Sequence, residues 1–215
     1  MTEKVIPNIT RIVIGPLQTN CYILSCPVTS ETIIIDAGGD AQQIITYIEQ
    51  NNLKPSLIVS THGHIDHTAG VAILKKQFGI NFAMHEGDKE ILRMSIKEAS
   101  QWGFGIVEEP TIDFTINQND IVRFGKFEAE IIHTPGHTPG GISISLKDTA
   151  FVGDTLFASS IGRTDFLGGN FEELISSINN KLLSLPDETI IYPGHGPETT
   201  IGEERKSNPY LNGVL

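Results

Sequence analysis

Thr61-His62-Gly63-His64-Ile65-Asp66-His67 places three imidazoles and a carboxylate within six residues. Imidazole and carboxylate donors together suit zinc, iron or manganese. The spacing has a geometric meaning. Residues 56–60, S-L-I-V-S, form a short apolar run of the kind that makes a buried strand. His62 and His64 follow it at i and i+2, so in an extended chain both point to one side. Asp66 and His67 then open a helical pattern that ends before Gly79. A strand-to-helix junction can aim several ligands at one small volume. A solvated His-rich loop would have the same composition, but the chain supplies further ligands of the same kind. His137 sits in the Gly/Pro-rigid turn T-P-G-H-T-P-G-G, Asp154 ends the apolar run A-F-V-G-D, and His195 lies between glycines in Y-P-G-H-G. Each of these falls where a strand pattern stops, and five of the seven histidines belong to the set.

The order H-x-H-x-D-H, G-H-T, G-D-T-L-F, P-G-H-G resembles the metallo-β-lactamase superfamily over nearly the whole chain. T-H-G-H-I-D-H, G-R-T-D-F, P-G-H-G-P and the ending E-E-R-K-S-N-P-Y-L are most similar to its small, single-domain glyoxalase II-like hydrolases. The resemblance implies two divalent metal ions, zinc first, with iron or manganese as alternatives. His62, His64 and His137 would hold one; Asp66, His67 and His195 would hold the other; Asp154 would bridge them. An Asp at the bridging position points away from true β-lactamases, which carry Cys there, and His64 in place of Glu points away from the flavodiiron branch. The implied fold is an α/β structure, the αββα sandwich: two mixed sheets face to face with helices outside, one domain over residues 1–215.

The implied chemistry is hydrolysis of a small-molecule thioester of the S-acylglutathione type. One divalent metal lowers the pKa of bound water from about 15.7 to about 7, and two sharing a hydroxide hold a nucleophile without Ser or Cys. Asp66 would orient that hydroxide. No G-x-S-x-G elbow supports a serine hydrolase. A thiolate leaving group needs little protonation, which suits a chain with no evident general acid. Arg163, in I-G-R-T-D-F, either binds a substrate carboxylate as a guanidinium fork or pairs with Asp165. The longer two-domain glyoxalase II enzymes carry a helical C-terminal domain and a Tyr after the last His, where this chain has Gly196, so glutathione selectivity is not implied. Competing readings are a mononuclear iron persulfide dioxygenase using His62, His137 and Asp154, a lactone or ester hydrolase of the same fold, and a non-catalytic metal-binding protein.

The elements needed to position these residues are legible. Strands are expected at 10–14, 20–25, 32–36, 57–60, 80–84, 121–124, 127–133, 141–146, 149–152 and 189–192. Helices are expected at 41–50 with Asp40 as N-cap, from His67 to Gly79, at 89–99 and at 171–183, with 102–110 irregular. The first half then supplies four ligand candidates and the second half three. His85 is read as structural. His133 either supports His137 or stands apart from it, and Trp102 and Phe104 either cap the cleft or pack in the core.

Composition fits a loop-rich globular protein: 215 residues, 39% hydrophobic, 21 glycines and 11 prolines. The net charge of −11 disfavours nucleic acid as a partner, since that binding draws on Lys and Arg. The opening M-T-E-K-V-I-P-N-I-T has no apolar core of a secretory leader, and no run approaches the ~18 apolar residues of a membrane span. The expectation is a cytoplasmic protein in which Cys21 and Cys26 are buried thiols.

Overall fold

The computed structural model describes residues 5–212. The first sheet has the order β1 (Asn8–Ile14), β2 (Thr19–Ser25), β3 (Glu31–Ile35), β4 (Lys54–Val59), β5 (Asn81–Met84), β6 (Phe114–Thr115). Its first three strands are antiparallel; β3 to β6 run parallel. The second sheet uses β7 (Ile121–Phe124), β8 (Phe127–His133), β9 (Ile142–Leu146), β10 (Thr149–Gly153), β13 (Ile190–Pro193) and β14 (Thr199–Thr200), in the order β14-β13-β10-β9-β8-β7. Here β10 and β13 are the parallel pair. A parallel pair needs a crossover, and helices supply it. These are α1 (Ala41–Gln50) between β3 and β4, α2 (Ile65–Thr68) with α3 (Val71–Phe78) between β4 and β5, α4 (Lys89–Glu98) between β5 and β6, and α5 (Phe171–Ser177) between β10 and β13. A small hairpin, β11 (Leu156–Phe157) with β12 (Ser160–Ile161), precedes α5.

Strand periodicity builds the four layers. Tyr22, Leu24, Ile33 and Ile35 face Phe124, Ile131, Ile144 and Phe151 of the opposite sheet. The alternate residues Cys21, Ile23, Ile34 and Ile58 face away, onto Ile44 and Ile48 of α1 and Leu74 of α3. On the far side, Val152 and Ile191 pack against Leu174 of α5, Ile178 and Leu182. Both faces of the central strands are buried, so these strands read as continuous apolar runs. The result is the αββα sandwich.

Several expected elements differ in detail. The helix expected from His67 to Gly79 is two helices, broken at Ala69–Gly70. Gly70 N donates to Ala37 O at 2.7 Å, and a Cβ on Gly70 would lie 2.9 Å from that oxygen. The chain bends so that this close contact forms. Asp40 precedes α1, but its left-handed backbone (φ 38°) leaves the side chain without a capping bond. The helix expected at 171–183 continues past Ser177 as a π-turn, Ile178–Leu182. The short strands β6, β11, β12 and β14 were not expected, nor was the helix α6 (Ile201–Ser207). Cys21 and Cys26 are buried and unbonded.

Candidate metal centre

Four strand ends meet at one edge of the sandwich. The loop after β4 carries His62 and His64 and the helix α2 that follows carries Asp66 and His67, while loops after β8, β10 and β13 carry His137, Asp154 and His195. All seven of these residues lie in one cluster.

His62, His64 and His137 form the first group, with nitrogens within 4.8 Å of one another. Their rings sit edge to face at centroid distances of 4.8 Å. His137 Nε2 faces His64 Nδ1 at 3.0 Å. Asp66, His67 and His195 form the second group, and His62, His67 and Asp154 form a third that links the two. His195 Nε2 is 3.0 Å and His67 Nε2 3.4 Å from Asp66 Oδ2. Asp154 stands between the groups: its Oδ1 is 3.5 Å from His67 Nε2, and its Oδ2 is 3.6 Å from His195 Nε2 and 3.8 Å from His137 Nε2. Gly194 makes room for it. A Cβ there would lie 2.2 Å from Asp154 Oδ1 and 2.7 Å from His67 Cε1.

Neighbouring acceptors fix which ring nitrogen faces the cluster. His137 Nδ1 donates to Arg163 O at 2.7 Å, which leaves Nε2 bare. His67 Nδ1 lies 3.0 Å from Asp36 Oδ2. Thr61 donates to both oxygens of Asp36, from N at 2.7 Å and Oγ1 at 2.8 Å. With its proton committed to Asp36, Thr61 Oγ1 accepts from His62 Nδ1 at 3.1 Å. His62 Nε2, both ring nitrogens of His67 and Asp154 Oδ1 are buried and without a hydrogen-bond partner among the described residues, the 3.0 Å approach of Asp36 to His67 Nδ1 being an ion-pair contact. Buried polar atoms left without partners are rare and costly. Here they converge with carboxylates, and divalent cations satisfy that arrangement.

Charge supports the same fit. Burial and the neighbouring imidazoles hold His62 well below its ordinary pKa, and His64 falls to about 4 for the same reasons. Burial raises Asp66, but His67 and His195 outweigh it and keep the carboxylate ionised. Burial lowers His67, but Asp66, Asp36 and Asp154 pull it well above its ordinary value. His195 is raised by Asp66 and Asp154 against the opposing effect of burial. Neutral imidazoles and ionised carboxylates are the ligand forms; the protons on His67 and His195 stand where cations would replace them.

Two carboxylates that the sequence did not disclose hold the cluster in place. Asp36, from a turn after β3, orients His62 through Thr61 and lies against His67 as an ion-pair partner. Asp88 is fully buried and ties two ligand loops together. Its Oδ2 accepts from Gly63 N at 2.9 Å and Thr138 Oγ1 at 2.7 Å; its Oδ1 accepts from Gly140 N at 2.6 Å. Both were hidden as isolated acids in turn-forming sequence. On the other side, Asn20 Nδ2 donates to Pro193 O and Gly196 O at 2.9 Å each, and fixes the turn bearing His195.

The remaining candidates divide. Arg163 lines the cleft but forms a fork with Asp165, Nε to Oδ1 at 2.7 Å and Nη2 to Oδ2 at 2.6 Å. His133 does not touch His137; its Nε2 lies 3.0 Å from Pro139 O and its ring stacks on His85 at 4.2 Å. Trp102 lines the cleft, edge-on to Phe166. Phe104 instead packs with Ile65, Ala69 and Ala99.

The comparisons agree with this geometry. The family model of the metallo-beta-lactamase superfamily matches residues 14–195. The hydroxyacylglutathione hydrolase GloC of Haemophilus influenzae is 41% identical over 209 residues, covering 95% of this chain and 98% of that protein. Among solved structures, the BLEG-1 B3 metallo-beta-lactamase superposes with a TM-score of 0.89 at 38% identity, over 96% of this chain and all of the other. TTHA1623 in a di-iron-bound form gives 0.85 at 32% identity, over 94% and 100%. With its four layers, its ligand motifs in order and these relatives along its length, the chain belongs to the metallo-beta-lactamase superfamily.

Proposed function

We propose that this metal-dependent hydrolase cleaves small-molecule thioesters at a dinuclear centre. His62, His64 and His137 would hold one cation, Asp66, His67 and His195 the second, with Asp154 shared. The observation that carries the reading is the pair of three-residue groups with Asp154 within 3.8 Å of both. The donors suit zinc; the di-iron form of TTHA1623 supports iron as an alternative. Such cations, when bound, acidify a water from pKa about 15.7 to about 7 and polarise a carbonyl.

The chain's own groups do the rest. Asp66 lies at the cleft floor, ionised and held by Thr19 Oγ1 at 3.2 Å. Its carboxylate orients the attacking hydroxide by accepting a hydrogen bond from it. His137 and His195 also line the cleft, one from each group, so substrate meets both. Outside these groups the lining offers few proton donors: Arg163 keeps its proton, Arg163 pulls Asp165 down to about 2, and Glu98 is on the exposed rim. A leaving group that departs as the anion therefore suits the site. A thiolate does so, with an ordinary thiol pKa of ~8.5.

A cleft of about 570 Å³ fits a small molecule. The net charge of −11 supports a partner other than nucleic acid. Among the described residues no helix is long and apolar enough to cross a membrane. The test is elemental analysis paired with assays on S-lactoylglutathione and glutathione persulfide. The expected result is about two metals per chain and thioester hydrolysis. A fully loaded protein that consumes oxygen with the persulfide and leaves thioesters intact overturns the reading.

A further inference from the structure

The cleft has an apolar wall and a mouth poor in free positive charge. Ile91 and Met94 of the helix α4 (Lys89–Glu98) form one side, with Leu17, Trp102, Phe166 and Leu167 around the opening. Leu17, Trp102 and Leu167 are 40%, 40% and 58% exposed, so three large apolar side chains meet water around one opening. Clustered exposed apolar surface marks a binding site, whereas scattered apolar residues do not.

Charge is the second observation. Among the described residues Arg163 is the only Lys or Arg lining the cleft. Asp165 takes the Nε–Nη2 edge of its guanidinium, and the guanidinium carbon lies 3.9 Å from the centre of the Phe166 ring. The other charged groups at the mouth, Asp165 and Glu98, are carboxylates. On α4 the nearby Arg93 is engaged by Glu90 at 3.1 Å and does not line the cleft. A glutathione carrier brings two carboxylates and one ammonium. One carboxylate would have to share Arg163 with Asp165 and lie beside that carboxylate's charge. The other would find no second Lys or Arg among the described residues of the lining and would face the rim acids.

We propose that the cleft selects thioesters with an apolar acyl group on a carrier lacking carboxylates, and disfavours glutathione as that carrier. The inference rests on the thioester reading above. An uncharged carrier leaves the Arg163–Asp165 fork intact while its acyl chain lies against Ile91, Met94 and Trp102. Two added methylenes on the acyl group, from acetyl to butyryl, should raise kcat/KM about tenfold, given ~0.8 kcal/mol per buried methylene.

The experiment uses the metal-loaded protein with S-butyryl-N-acetylcysteamine and S-butyrylglutathione. The expected result is at least about tenfold higher kcat/KM for the uncharged carrier, mainly through KM, with the gap narrowing at high salt. Asp165→Asn should free Arg163 and shift the ratio several-fold toward glutathione. Calorimetric binding of the uncleavable thioethers S-butylglutathione and S-butyl-N-acetylcysteamine measures the carrier preference without turnover. Tighter binding or faster cleavage of the glutathione compound, or a ratio unmoved by Asp165→Asn, overturns the inference and leaves thioester hydrolysis standing. Selective binding of the uncharged thioether without cleavage of either thioester supports the cleft assignment and overturns the thioester reading.

Discussion

Asp154 stands between the two groups proposed to hold cations. Its two oxygens face different groups, His67 on one side and His137 with His195 on the other. Asp154→Ala should therefore lower metal content from about two ions per chain to below one, as read by elemental analysis. Asp88 acts at a distance from the cations. Asp88→Ala would strand the amide donors of Gly63 and Gly140, at about 1–3 kcal/mol each. Both donors flank ligand loops, so chelator competition should show roughly 10–100-fold weaker metal retention. His67 and His195 give a pH prediction. Their pKa values are raised without a cation, so their stabilising contribution is complete below the ordinary ~6.5 and is lost as pH rises through the raised values. Chelator-treated protein should melt earlier at pH ~9 than at pH ~6.5, and metal uptake near neutral pH should release protons, measurable by calorimetry in buffers of different ionisation enthalpy. The seven clustered residues were legible because each sits in a short motif at a strand end. Asp36 and Asp88 were not, because a lone acid in D-A-G-G-D or H-E-G-D reads as a turn residue until the fold brings its partners to it.

At the scale of elements, the sequence was most legible where periodicity was long. The strands of both halves and the helices α1 and α4 are found within a few residues of expectation. Breaks set by close tertiary contact were not legible. The Ala69–Gly70 break depends on Ala37 O, far away in sequence. The helix α6 had a local sign, T-I-G-E, in which Thr200 Oγ1 accepts from Glu203 N at 3.2 Å. That helix also carries a buried carboxylate. Glu204 accepts from Ser159 N at 2.9 Å, Thr199 Oγ1 at 2.7 Å and Asn208 Nδ2 at 2.7 Å. Ser159 lies in the turn of the β11–β12 hairpin, between Asp154 and Arg163, so α6 holds the strip of chain that leaves the metal centre for the cleft rim. Glu204→Ala should cost about 2 kcal/mol through these stranded donors. For a chain of this length that is a fall in Tm of about 4–8 °C, and a melt unchanged within a degree would show that the network carries no stability.

Across the whole molecule, the candidate ligands come from both sheets. His62, His64, Asp66 and His67 follow β4 of the first sheet, while His137, Asp154 and His195 follow β8, β10 and β13 of the second. The sheets already share an apolar core, but at the edge where the ligands meet that core gives way to carboxylates and imidazoles. Without cations this edge holds Asp36, Asp66 and Asp154 close together at little solvent exposure, offset only by the protons on His67 and His195. Bound cations would replace those protons and tie one sheet to the other. A ligand that binds only the folded chain stabilises it by RT ln(1 + [L]/Kd), about 4 kcal/mol at a thousandfold excess over Kd. At about 2–4 °C per kcal/mol for a chain of this size, removing the metals should lower Tm by roughly 8–16 °C, and adding zinc back should restore it. Scanning calorimetry before and after chelation provides the measurement. A melting point indifferent to chelation, in protein shown to have lost its metal, would mean that the two sheets hold together at this edge without cations.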